Sequence, residues 1–245
     1  MLRSLIQSRP IASFFLLAFG WTFAWDGLFF LFDLWEEIPV SIPRVWGPLI
    51  AGVVVMWASE RSVRSWISRI FEWRIRPAFF GIALLVPITI TNLQPILEGL
   101  GGGTVAYDPP AGIHMLALWI ALNMVLLGGT EEIGWRGVLQ PRLQEKTSVF
   151  ITGLVIGVLW WAWHLPLFFT GDPAFSFDAV SFTSYTLFVL GASVVFGAFV
   201  NWTAGSILPV MLMHAAVNPA PFMAGSGGVL DGSWVVPILL GAGLW

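Results

Sequence analysis

What most limits how this chain can fold is the recurrence of charge-poor runs about as long as a bilayer is thick. A helix needs roughly 20 mostly apolar residues to cross the hydrocarbon, and eight such runs occur, at 11–32, 43–59, 78–97, 112–130, 149–167, 180–200, 206–222 and 229–245. Lipid offers no hydrogen bonds to a backbone, so runs this long are expected as helices whose N–H and C=O groups pair internally. The expected fold is an all-α, polytopic transmembrane helix bundle of about eight spans, a single integral membrane domain over residues 1–245. Composition agrees: 57% of residues are apolar and only 10% charged, whereas a soluble domain is about a quarter charged. The absence of Cys excludes a disulfide framework, a thiolate zinc site, an iron–sulfur cluster and a Cys nucleophile.

The first run follows Arg3 and Arg9 but is apolar for longer than a signal-peptide core, and is expected to be a retained helix. Asp26 lies inside it, and an acidic residue at that depth is either functional or paired towards the bundle; the sequence does not reveal its partner. The seventh run contains Pro209 and Pro219 and is expected to be broken or tilted. Ten of the eleven Lys and Arg residues fall before span one, between spans two and three, or between spans four and five, while Arg44 lies on the other side with Asp33, Glu36, Glu37, Glu98, Asp108, Asp172, Asp178 and Asp231. The positive-inside rule then puts both termini in the cytoplasm. Between spans two and three, residues 60–76 interleave Val63, Trp66, Ile67, Ile70, Phe71 and Trp73 with arginines, the pattern of an amphipathic helix in the cytoplasmic interface.

Polar residues in so apolar a chain are costly, and few lie within spans. The outstanding group is Gly128 to Gly137, followed by His164 in span five and by His214 and Asn218 in span seven. His114, the third histidine, is read as interfacial. Glu132 and Arg136 are i and i+4, hence neighbours able to form an ion pair, while Glu131 projects about 100° away. His214 and Asn218 are likewise i and i+4. If spans four and five form a hairpin turning at Thr147, Glu131 lies 16 residues before the turn and His164 17 after it, level at about 24 Å.

A buried Glu near a histidine can act as general base towards water, and a second His with an Asn can donate to the oxyanion of a tetrahedral intermediate. Together these describe hydrolysis of an amide. The same residues support a metal alternative, in which His164, His214 and Glu131 or Glu132 hold a divalent metal such as zinc with one position open for water. No His-Glu-x-x-His helix accompanies them. Each piece alone has a plainer use, as a salt-bridged helix end or as interhelical hydrogen bonding. Their joint depth and the scarcity of other intramembrane polar groups favour a site.

At these residues the chain resembles the type II CAAX prenyl endopeptidase family, also called the CPBP or Abi family of intramembrane proteases. The first motif is Glu131-Glu132-Ile133-Gly134-Trp135-Arg136, followed by Gly137; the second is Trp160-Trp161-Ala162-Trp163-His164, with Trp160 where the family usually has Phe; the third is His214-Ala215-Ala216-Val217-Asn218. Gly47-Pro48 and the arginine-rich stretch after span two are also similar to the family, and the resemblance covers roughly residues 43–222.

The resemblance implies an eight-helix bundle with a cavity open to the cytoplasm. In it Glu131 and His164 activate water, Glu132 supports the site with Arg136, and His214 with Asn218 stabilises the oxyanion; whether a metal takes part stays open. Eukaryotic members trim prenylated proteins, and bacterial members include proteins linked to bacteriocin immunity and lysostaphin resistance. The expected partners are the bilayer and a membrane-associated or lipidated peptide, with no nucleic acid, and the expected location is a bacterial or archaeal plasma membrane. The non-enzymatic alternative is a partner-binding or immunity protein using the same polar cavity. Transport is the weakest reading, because the polar groups cluster at one depth rather than forming a path.

Overall fold

The computed structural model describes residues 2–34, 38–59, 62–91, 100, 113–170, 175 and 177–218. Among them the chain is helical, with no strand. A short α1 (Leu2–Ser8) precedes α2 (Pro10–Phe32), followed by α3 (Ile38–Val45), α4 (Gly47–Ala58), α5 (Val63–Ile70) and α6 (Pro77–Thr91). The second half contains α7 (Ile113–Leu126), α8 (Gly128–Gly134), α9 (Gln140–Leu143), α10 (Val149–His164), α11 (Ala179–Trp202) and α12 (Leu208–Val217). Four helical stretches are long and apolar enough to cross a membrane: Pro10–Phe32, Leu116–Leu143, Val149–Phe169 and Ala179–Trp202. Gly47–Ala58, Pro77–Ile90 and Leu208–Val217 are shorter apolar helices. These account for seven of the eight expected runs; 229–245 lies outside the described residues. The protein is an all-α integral membrane bundle.

Several boundaries differ from the sequence reading for local reasons. Run 43–59 divides at Trp46, so that α4 starts with Gly47 and Pro48 in its first turn, where a missing N–H does no harm. Pro209 opens α12 in the same way instead of breaking it; Pro219 lies outside the described residues. Among the described residues of 60–76, Val63–Ile70 is helical, started by the Ser62 hydroxyl accepting from Ser65 N. Its Trp66 and Ile70 are buried while Arg64 and Arg69 are exposed.

Span four is the most irregular. It breaks at Leu127, and between α8 and α9 it widens into a π-helical turn over Trp135–Leu139. Pro141 explains the widening: it has no N–H for the Gly137 carbonyl four residues earlier and its ring crowds the preceding turn. Gln140 N instead reaches Trp135 O, and the Gly137 carbonyl accepts from Trp66 Nε1 of α5 at 2.9 Å. At the Leu127 break, Leu126 O accepts from Trp46 Nε1 at 2.9 Å. Two indoles thus satisfy carbonyls that would be costly to leave bare in lipid.

Close helix contacts rest on small residues, as membrane bundles require. α10 packs along α11 through Gly153 and Gly157, where an added Cβ would lie 2.8 Å from Val194 Cα and 3.1 Å from Ser193 Cβ. Ser193 Oγ donates to Gly153 O at 2.8 Å. α4 packs on α8 where Gly134 meets the backbone of Pro48. Trp135, Trp163, Phe14, Phe196 and Phe199 fill the centre, while Leu16, Leu31, Val125 and Val158 face outward.

Candidate active site

The polar residues converge where α8, α10 and α12 meet. α8 begins in the break at Leu127, and every residue from Gly128 to Leu139 is buried. Glu131 is 3% exposed, Glu132 0%, Arg136 1% and His214 2%, so the charged groups have little beyond one another to answer to. Glu132 Oε1 accepts from His214 Nδ1 at 2.7 Å. Its Oε2 lies 3.5 Å from Arg136 Nε, an ion pair longer than a good hydrogen bond. Arg136 Nη2 donates to Ser193 Oγ at 3.2 Å, and its guanidinium sits 5.9 Å from the Trp160 ring centre and 5.7 Å from that of Phe196. The i, i+4 pairing of Glu132 with Arg136 survives the π turn.

Glu131 points to a different neighbour. Its Oε2 accepts from Trp160 Nε1 at 2.8 Å. One turn further along α10, His164 Nδ1 donates to the Trp160 carbonyl at 2.8 Å. Glu131 and His164 are therefore linked through one residue. His164 is only partly buried, and the rings of Trp160, Trp163 and Tyr185 lie 5.6, 4.7 and 5.8 Å from it. With Nδ1–H given to a carbonyl, the neutral ring presents Nε2 as an acceptor.

Asn218 closes α12, its N–H bonded to His214 O at 3.1 Å, and its Nδ2 donates to Asn123 Oδ1 at 2.9 Å. An amide nitrogen carries two hydrogens, which leaves one for a ligand. Gly128 faces both groups: a Cβ there would approach Asn218 Nδ2 at 2.5 Å and His214 Nε2 at 2.6 Å. The lack of a side chain at 128 lets His214 and Asn218 pack directly against the α8 backbone.

Sequence reasoning missed three participants. Asn123 is a buried amide eight residues before Glu131, and its polarity inside a span was the available signal. Tyr185 and the N–H of Trp160 gave none, because an aromatic in a span reads as packing. Asp26, unpartnered in the sequence reading, is paired: Arg44 Nε donates to Oδ1 at 2.5 Å and Nη2 to Oδ2 at 3.2 Å. The solitary cation outside the positive-inside pattern is the counter-ion of the solitary acid in span one. The Arg44 guanidinium also lies 5.0 Å from the ring centre of Trp163, the neighbour of His164.

The donor set for a hydrolytic zinc does not gather. Among the described residues no three His, Asp or Glu side chains form a group that could hold a metal ion. His214 Nδ1 is engaged by Glu132 and His164 Nδ1 by a backbone carbonyl, which leaves the Nε2 of each ring as its remaining nitrogen. His114 lies in the first turn of α7, apart from this cluster in the chain.

The carboxylates, histidines and amides of α8, α10 and α12 thus form a buried polar cluster inside a membrane bundle. Comparison with known proteins points the same way as the motifs. Residues 113–220, which hold all three motifs, match the model for Type II CAAX prenyl endopeptidase Rce1-like. The chain is also 23% identical over 193 residues to CAAX prenyl protease 2 of Methanococcus maripaludis, across 73% of this chain and 70% of that protein. The resemblance carried by the motifs is thus shown over residues 113–220.

Proposed function

We propose that this protein is an intramembrane endopeptidase that hydrolyses a peptide bond in a membrane-associated, prenylated (CAAX-like) substrate, using water activated by Glu131 and His164. The observation that supports it most is the separation of roles among buried groups. Glu132 is taken up by His214 and Arg136, whereas Glu131 is engaged by a single indole at one oxygen. Glu131 Oε1 and His164 Nε2 take the proton as water attacks the scissile carbonyl. The tetrahedral oxyanion is met by His214 Nε2–H and the second Asn218 N–H. His214 Nδ1 is held by Glu132, whose other oxygen faces Arg136, and this fixes the direction of the ring. Collapse of the intermediate returns a proton from the acid–base pair to the leaving amine. The protein sits in a bacterial or archaeal plasma membrane with both termini cytoplasmic, and α5 lies in the interface.

The test is cleavage of a quenched-fluorescent farnesylated peptide library by the detergent-purified protein, with Glu131→Gln alongside and a chelator in half the wells. We expect wild type to cleave, Glu131→Gln to lose at least ~10³-fold in kcat, and the chelator to change nothing. Folded wild type that cleaves nothing sinks the reading, leaving a partner-binding role. Cleavage that survives Glu131→Gln removes the glutamate mechanism.

A further inference from the structure

Trp160 touches four of the site's side chains, Glu131, Arg136, His164 and His214. Its ring centre lies 5.1 Å from His214, 5.6 Å from His164 and 6.0 Å from Phe196, and the Arg136 guanidinium lies 5.9 Å away. It is 3% exposed. Packing alone would be served by any large ring. Two features go beyond packing: the indole N–H donates to Glu131 Oε2, and the carbonyl of the same residue accepts from His164 Nδ1, both at 2.8 Å.

Resting on the proposed protease reading, we propose that Trp160 is the positioning residue of the site, orienting both water-activating groups at once. The indole is a donor only and does not titrate, so it engages one carboxylate oxygen without competing for the proton. That leaves the other oxygen as the single basic point of Glu131. A carboxylate buried in an apolar bundle otherwise turns freely about its terminal torsion, which is broad and two-fold, and offers either oxygen in many directions. The carbonyl meanwhile selects the His164 tautomer whose Nε2 is bare, as a proton acceptor requires. Because Trp160 and His164 are one turn apart on α10, the spacing between base and histidine is set by helix geometry. Phenylalanine at this position would keep the ring and the carbonyl and lose the tether on Glu131.

The experiment replaces the N–H without replacing the volume. W160F is compared with a variant carrying the benzothienyl analogue of tryptophan at position 160, in which sulfur takes the place of N–H. Both are assayed on the farnesylated peptide that wild type cleaves best. If Trp160 positions Glu131, both variants lose about 10²-fold in kcat, keep KM within about 3-fold, and retain the wild-type detergent melting temperature. A purely structural Trp160 predicts the opposite for the analogue, with full kcat. In a spectrum of 15N-indole-labelled protein, the resonance that disappears in W160F should move in E131A. A stationary resonance in folded E131A, or an analogue with wild-type kcat, overturns the proposal while the protease reading stands. Folded wild type that cleaves no peptide overturns the protease reading, and this inference with it.

Discussion

Among the described residues, two buried arginine–carboxylate pairs are built to opposite specifications. Between α2 and α3, Arg44 grips Asp26 through two hydrogen bonds and lies over Trp163. Trp163 Nε1 donates to Thr22 Oγ1 at 2.8 Å, and Thr22 Oγ1 donates to the Arg44 carbonyl at 2.7 Å, so the surroundings are closed. On α8, Glu132 and Arg136 stand 3.5 Å apart. Glu132 Oε2 and Arg136 Nε and Nη1 make no hydrogen bond within the described protein. A closed, bidentate pair holds elements in register, whereas a loose one keeps unspent capacity to answer charge that develops during a reaction.

That comparison can be broken by mutation. Arg136→Ala and Asp26→Ala each strand a buried charge, and each should cost about 3–5 kcal/mol of stability, read as the detergent melting temperature. The pairs should then part company. Asp26→Leu with Arg44→Met should recover stability and keep cleavage within a few-fold. Glu132→Leu with Arg136→Met should recover stability yet cleave about 10²–10³-fold more slowly, because His214 has lost the carboxylate that fixes its direction. Equal activity in the two double variants would erase the distinction. Gly128→Ala comes next: its methyl group displaces His214 or Asn218, with about 10²-fold lost in kcat and little change in melting. Asn123→Ala releases Asn218 and should lower kcat roughly 5-fold, the worth of a ~1 kcal/mol hydrogen bond. Thr22→Val is the smallest, about 1 kcal/mol in stability with cleavage unchanged.

What the sequence could reveal follows from how local each signal is. The spans and the three motifs rest on apolar length and on i, i+4 spacing, which one chain segment carries by itself. The ion pair of Glu132 with Arg136 was legible for that reason. The engagement of Glu132 by His214 and of Asn218 by Asn123 was not, because those partners are 82 and 95 residues apart. Depth matching brought Glu131 level with His164, yet it could not show Trp160 standing between them in the hydrogen-bond chain. Asp26 and Arg44 could have been matched on charge alone, each being the exception to its own pattern. The break at Leu127 is marked by Gly128 and Gly129 directly after it, which the motif reading absorbed, and the π turn by Pro141.

The tryptophans invite a different reading from the one their abundance suggests. Fifteen of them look like a belt at the headgroups, but the indoles of Trp21, Trp46, Trp66, Trp160, Trp161 and Trp163 all donate to oxygens of the protein itself. An indole gives a proton to a hydrogen bond without ever giving it up or taking another. The scaffold therefore mends its helix breaks with groups that are electrically silent across the whole physiological pH range. In a medium where a single charge is felt over long distances, the field at the scissile bond is left to a handful of carboxylates, histidines and arginines.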